Sequence, residues 1–431
     1  KFFLAAAIFF IFAWHEAQAK ELEILVKKAI NGEVITLEEG EYQGPLIIDK
    51  PVTIVGKGNV AIRSSDEATV KIMTDGATLK NIRIVHEAIE LTSAAIYMEG
   101  EKNKLLELDI ETKGMGIVLN NANDNILKDI AIVGPYKTLT YQASMDSREG
   151  NAVDLFRSHR NQLKNIQIEY AQDGIYLESS EENEISQCRV RRSRYGFHLM
   201  FTTKTRLEKN LSSENITGMM VMGTDGTVIK NNRLEKMHGH VYSQGLMLYD
   251  VKNARVERNI IERNLIGILV EDSYSNVMKN NAILANYIGI QFSRAKENEF
   301  FENDVIGNVI PAYGTSSKEN TLKKNFWEGH SFIDFNGDEK NDWPYYANPV
   351  FLLLVTKKPA YQIFADSPGI YFMNMLLELD KSELLKDGEV SKMPHVIAAT
   401  EKNSKTWITF LTYLFLAIIT MIFMYLGGRR K

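Results

Sequence analysis

Between Ala152 and Ser293 one short strand returns at a step of 22 residues. It reads Ala152-Val153-Asp154-Leu155-Phe156, then Gly174-Ile175-Tyr176-Leu177-Glu178, Gly196-Phe197-His198-Leu199-Met200 and Gly218-Met219-Met220-Val221-Met222. After one interruption of five residues it resumes as Gly245-Leu246-Met247-Leu248-Tyr249, Gly267-Ile268-Leu269-Val270-Glu271 and Gly289-Ile290-Gln291-Phe292-Ser293. A fixed period of this size is the signature of a solenoid. The first and third residues after the opening position are apolar in every copy, and alternation at period two marks a strand. Stacked at ~4.8 Å, these side chains make two apolar columns that one rung cannot bury alone. The period is too short for a helix pair and lacks leucine-rich spacing. It fits one coil of a right-handed parallel β-helix with about three short strands per coil. Asn161, Asn183, Asn253, Asn276, Asn298 and Asn320 recur at turn-like places. Asn tolerates the left-handed region and can pair with the Asn above, so these report architecture rather than chemistry.

The rest of the 431-residue chain has ordinary globular composition, 45 % hydrophobic and 24 % charged, with a net charge of −5. No basic run interrupts the body, which argues against a nucleic-acid partner. The single cysteine, Cys188, excludes an intrachain disulfide and a thiolate cluster, and its spacing from Ile166 predicts a buried core thiol. Residues 1–19 read as a secretory signal, with an apolar run from Phe2 to Phe12 and a small-x-small site at Ala17-Gln18-Ala19. Trp407 to Leu426 is uncharged and long enough to span a bilayer, and Arg429-Arg430-Lys431 follows as a cytoplasmic flank over 427–431. The expected location is the periplasm, anchored to the inner membrane.

In chain order, Glu21 to Ile30 places Leu22, Leu25, Val26, Ala29 and Ile30 at helical spacing. It predicts an amphipathic helix that caps the open first coil. The β-helix domain is expected over 20–379. At 134–150, where alternation stops, a loop projects from it or lies over the core as a lid. Residues 327–379 close its far end, and a flexible linker over 380–406 leads to the membrane helix.

Positions two and four after the glycine face away from the core. Three consecutive coils carry His198, Met200, Met220, Met222 and Met247 there, where a periplasmic surface should be polar. The interruption, roughly Lys236 to Gln244, falls between two of those coils and contains Met237, His238 and His240. Thioethers with imidazoles suit a soft ion, above all Cu(I), and suit zinc poorly. A methionine-rich patch is equally an adaptable protein-docking surface, and spacing alone leaves both readings open.

A second cluster, Asp334, Asn336, Asp338 and Asp342, spaces oxygen ligands like a calcium loop. It lacks a Gly at the sixth position and a bidentate Glu at the twelfth, so a structural turn is an equal reading. Met393-Pro394-His395, in the expected linker, is a soft-ligand pair or plain linker. Glycoside hydrolysis needs two carboxylates across a cleft. Asp154, Glu178 and Glu271 do not form such a pair in one column, and the residues read as those of a non-enzyme. A carbohydrate-binding or sugar-cleaving β-helix is the alternative.

Arg194-Tyr195-Gly196-Phe197-His198-Leu199-Met200-Phe201 and Gly40-Glu41-Tyr42-Gln43-Gly44 resemble the NosD family. So do Asn325-Phe326-Trp327, Asp334-Phe335-Asn336-Gly337-Asp338 and Asp342-Trp343-Pro344-Tyr345. The family comprises periplasmic β-helix proteins required to mature nitrous oxide reductase. The resemblance runs over roughly residues 25 to 380. It implies an ABC transporter with membrane and ATPase subunits, a copper-chaperone lipoprotein and apo nitrous oxide reductase as partners. It implies copper as the cargo. The candidate ligands come from the two columns above, not from the resemblance, and the apolar tail departs from the family pattern.

Overall fold

The computed structural model describes residues 22–135, 150–240, 243–337, 341–347, 354–355, 357–364, 367, 369 and 384–396. They form a right-handed parallel β-helix of about 22 residues per coil. One coil runs through a long strand, Asp173–Glu178, then two short ones, Glu184–Ser186 and Arg189–Arg191, before the next long strand, Tyr195–Met200. The strands that begin each such coil stack into one parallel sheet of 12, and the others form the remaining faces. The alternating residues fill the interior as their period requires. Val153, Leu155, Ile175, Leu177, Phe197, Leu199, Met219 and Val221 are all fully buried. Cys188 is buried among them.

The corners need residues in the left-handed region. Ser179, Glu182, Gln187 and Arg192 have φ of 49°, 54°, 58° and 55°, and Phe201, Lys204, Lys209 and Glu214 repeat these one coil later at 53°, 52°, 58° and 56°. Such corners cost backbone energy for L residues. Side-chain ladders inside the corners offset it. The Asn210 carbonyl accepts from the Cys188 amide at 2.9 Å, and the series continues through Asn232, Asn259, Asn281, Asn303 and Asn325 at 2.9 to 3.0 Å. Each side-chain amide also donates to a backbone carbonyl of a neighbouring coil, for example Asn281 to Val256 at 2.9 Å. Buried backbone groups at the turns are thereby paired, as they must be. Asn161, Asn183, Asn276, Asn298 and Asn320 belong to such ladders. Asn253 does not: it is a left-handed turn residue whose amide bonds the Asp225 carboxylate at 2.8 Å.

The opening glycines serve contact between rungs. A Cβ on Gly267 would stand 2.4 Å from the Gly289 carbonyl oxygen, and one on Gly218 would stand 2.3 Å from that of Gly245. Three insertions fall at the same corner. Pairing steps of 26 (Thr78 to Lys104), 36 (Ile126 to Gln162) and 27 (Val228 to Arg255) replace the usual 22 (Gln162 to Glu184). In each case the extra residues precede a strand of the 12-stranded sheet, beginning at Ala94, Val153 or Gln244. Most of the expected loop over 134–150 lies outside the described residues.

At the first coil, residues 22–28 are helical, and Leu22, Val26 and Ala29 join the core while Leu25 and Ile30 are exposed. The Lys50 ammonium donates to the carbonyls of Val26, Lys27 and Ala29 at the end of this helix, at 3.4, 2.7 and 3.1 Å. At the far end, the Asp387 carboxylate accepts from the Asn325 amide groups and the Trp327 indole at 2.9 to 3.1 Å, ending the ladder. Leu385 and Val390 complete the core, so packed structure continues past 379 into the stretch expected as linker. The expected signal and anchor lie outside the described residues. Among those described, no helix is long and apolar enough to cross a membrane.

Candidate metal-receiving wall

The predicted columns exist in register on the outer side of the long sheet. Tyr176 pairs with His198, His198 with Met220, Met220 with Met247 and Met247 with Leu269. Beside them run Glu178, Met200, Met222, Tyr249 and Glu271. Neighbours within a column stand one strand spacing apart, ~4.8 Å.

This face is more sheltered than an open surface. Met200, Met220, Met222 and Met247 are half-buried. His198 and Tyr176 are buried although alternation turns them outward. Lower down, Leu269 packs with Ile266, Ile288, Ile310 and Val355, and Met247 packs against that group. A later segment of the chain therefore covers the lower end of the wall.

His198 is the focus. Its Nδ1 lies 2.7 Å from Asp173 Oδ2. Asp173 also accepts from Arg194 Nε at 2.8 Å and Nη2 at 2.9 Å. Burial pushes the Asp173 carboxyl up, but the hydrogen bond from His198 and the Arg194 charge outweigh it and hold the group below the usual carboxylate range. A carboxylate can only accept, so Nδ1 carries the proton, and the tautomer this selects is the one whose lone pair sits on Nε2. Nε2 is buried and has no hydrogen-bond partner among the described residues. Tyr176 and Tyr195 meet the ring edge-on, at 4.9 and 5.1 Å between centroids. The Tyr176 hydroxyl donates to Glu178 at 2.8 Å and lies 3.4 Å from the Met200 sulfur.

The other described histidines outside the insertion have engaged rings. His86 bonds Thr69 and Ser93 at 2.9 and 2.8 Å, and burial lowers its pKa to about 4. His159 accepts from the Glu181 amide at 3.0 Å, and His330 and His395 bond carbonyls at 2.9 and 2.7 Å. The open imidazole nitrogen belongs to a side chain in register with Met220, and the ring's other nitrogen is held by a carboxylate.

Not every candidate joins the wall. Met237 is buried at a corner, in the ladder position between Asn215 and Asn264, with its methyl near Gly218. His238 is exposed and His240 half-buried on the insertion leading to the strand of Met247. His395 is tied to the last coil. In the acidic cluster, Asp334 accepts from the Gly337 amide and Asp342 from the Phe335 amide, both at 2.7 Å, so these two carboxylates shape their own loop. Asn336 is exposed there, and Asp338 lies outside the described residues. Among the described residues no three His, Cys, Asp or Glu side chains gather as a metal group. The wall rests on one histidine and methionines instead. Asp173 and Arg194 were not candidates in the sequence. They precede the glycine at which the repeat was counted, outside the two columns compared.

The family model described as "Periplasmic copper-binding protein (NosD)" matches residues 136–341. The chain is NosD-like. The NosD-like span contains the whole wall and the Asp173–His198 pair. No curated protein matches the chain in sequence. Among solved structures, the chain is similar to the Azotobacter vinelandii mannuronan C-5 epimerase AlgE6 A-module at 10% identity. That likeness covers 72% of this chain and 94% of that one, with a TM-score of 0.57. The DFA-IIIase from Arthrobacter chlorophenolicus A6 matches at 12% identity over 73% and 90% of the two chains, with a TM-score of 0.48. The first likeness, at 10% identity, speaks to the fold alone.

Proposed function

We propose that this NosD-like protein receives Cu(I) on the wall of His198, Met200, Met220, Met222 and Met247 and hands it on in the maturation of nitrous oxide reductase. The carrying observation is the buried, unpartnered Nε2 of His198, in register with Met220 and held by Asp173. The family description of a periplasmic copper-binding protein supports the same class of cargo. A half-buried thioether wall binds Cu(I) without enclosing it, which suits an ion that must leave again. In this reading His238 and His240 lie on the route in or out. An ABC transporter with its ATPase subunit, a copper-chaperone lipoprotein and the apo-reductase are the partners, and this chain catalyses nothing itself. The helix over 22–28 closes the first coil, and residues 407–426 anchor the protein to the inner membrane. Calcium at the Asp334 loop has weaker support, because two of its carboxylates already serve backbone amides. The test is anaerobic Cu(I) titration against a competing chelator. Wild type should retain Cu(I), and a His198→Ala/Met220→Leu variant should lose at least tenfold in affinity; equal retention removes this site.

A second reading rests on the same contact. An Asp-oriented histidine with an open Nε2 between two tyrosines is also the geometry of a general base. It would make the protein a sugar-active β-helix. Glycan binding and product release, with no copper retained and loss of activity in His198→Ala, would favour it.

A further inference from the structure

The charge count around His198 goes further than the ligand list. Asp173 is the carboxylate in contact with the ring, and it is already matched: Arg194 grips both its oxygens at 2.8 and 2.9 Å. The side chains of this pair are 10% and 1% exposed, and the guanidinium lies over Tyr195 at 4.5 Å. Among the described residues, the donors that remain on the wall are the His198 imidazole, which ligates only through a lone pair, and the uncharged thioethers of Met200, Met220, Met222 and Met247. Among the described residues, Glu178 pairs in register with Met200, stands diagonal to His198 and takes the Tyr176 hydroxyl, and Asp154 stands two rungs from His198 in its own column. The solvation lost when an ion is buried grows with the square of its charge, so a divalent ion loses about four times as much as a monovalent one. A neutral donor set repays little of that loss.

We infer that Arg194 sets the charge selectivity of the wall: by neutralising Asp173 it leaves a site that accepts a monovalent soft cation and turns away divalent ones. Asp173 in turn is a positioning residue, acting through His198. This rests on the reading of the wall as a Cu(I) receiver.

The experiment measures Cu(I), Ag(I) and Zn(II) affinities of the full chain with competing chelators, counting only binding that His198→Ala abolishes. Three variants are compared with wild type: Arg194→Met, Arg194→Lys and Asp173→Asn, with circular dichroism to report folding. Wild type should favour Ag(I) and Cu(I) over Zn(II). Arg194→Met uncovers the Asp173 charge and should narrow that preference by about tenfold or more, the effect of ~1.4 kcal/mol. Arg194→Lys keeps the charge and should keep the preference. Asp173→Asn removes the negative charge while the guanidinium stays, and it should weaken every cation, Zn(II) most, so the two single-charge variants move the ratio in opposite directions. Should Arg194→Met not fold, the Asp173→Asn ratio decides. Silver bound with a ratio unchanged in the folded variants overturns the selectivity role alone. Failure of wild type to bind Cu(I) or Ag(I) at His198 overturns the copper reading and this inference with it.

Discussion

Asp173 Oδ2 stands 2.7 Å from His198 Nδ1, joining the residue before one rung's glycine to the outward side chain of the next rung. The contact fixes the ring's tautomer and leaves its other nitrogen open. Removing the carboxylate would take from the buried Arg194 guanidinium the two hydrogen bonds it makes to Asp173. Asp173→Ala should therefore cost about 3–5 kcal/mol of stability, measured by denaturant unfolding at neutral pH. A loss under 1 kcal/mol would show that the pair is solvated.

The same pair makes stability depend on pH. The Asp173 carboxyl in the folded state lies below its ordinary value of 3.8. A depressed carboxylate contributes stability above the unfolded value and loses it as pH falls through the folded one. Unfolding free energy should thus drop as pH falls below about 4, and Asp173→Asn should flatten that part of the curve. An identical slope in both proteins would assign the acid sensitivity elsewhere.

Rung contact predicts a backbone effect. On Gly267, an added Cβ would meet the next rung's carbonyl at 2.4 Å. Gly267→Ala should destabilise by about 1–3 kcal/mol, read as a lower melting temperature. No change would mean that the rungs part easily.

The thiol should be silent. Burial pushes the Cys188 thiol up to about 12. It should resist a thiol reagent at pH 8 in the native protein and react on unfolding. Cys188→Ser should leave Cu(I) affinity unchanged, and a loss there would bring the thiol into the copper account.

Much of this arrangement was legible from the 22-residue step. Alternation assigned the two interior columns, and the step placed His198 beside Met220 and Met200 beside Met222 without any coordinates. What escaped has physical causes. Asp173 meets His198 across rungs, from the first residue of one strand to the fourth of the next, and a period read within one strand does not see that pairing. Met237 was grouped with the wall because the insertion obscures register. Counted from Asn215 by 22 it falls in the ladder, where its amide bonds the next Asn at 3.0 Å. The shelter of the wall comes partly from Val355, which no repeat announces. The stretch holding Leu385 and Val390 reads as linker because its charge masks two core side chains and the Asp387 that ends the ladder.

The most direct measurement of the central claim is X-ray absorption on the Cu(I)-loaded, anaerobic protein. The account predicts one nitrogen and two or more sulfur neighbours, with the nitrogen lost in His198→Ala and a sulfur lost in Met220→Leu. A shell of oxygen and nitrogen alone, or a spectrum unaltered by both substitutions, would contradict it.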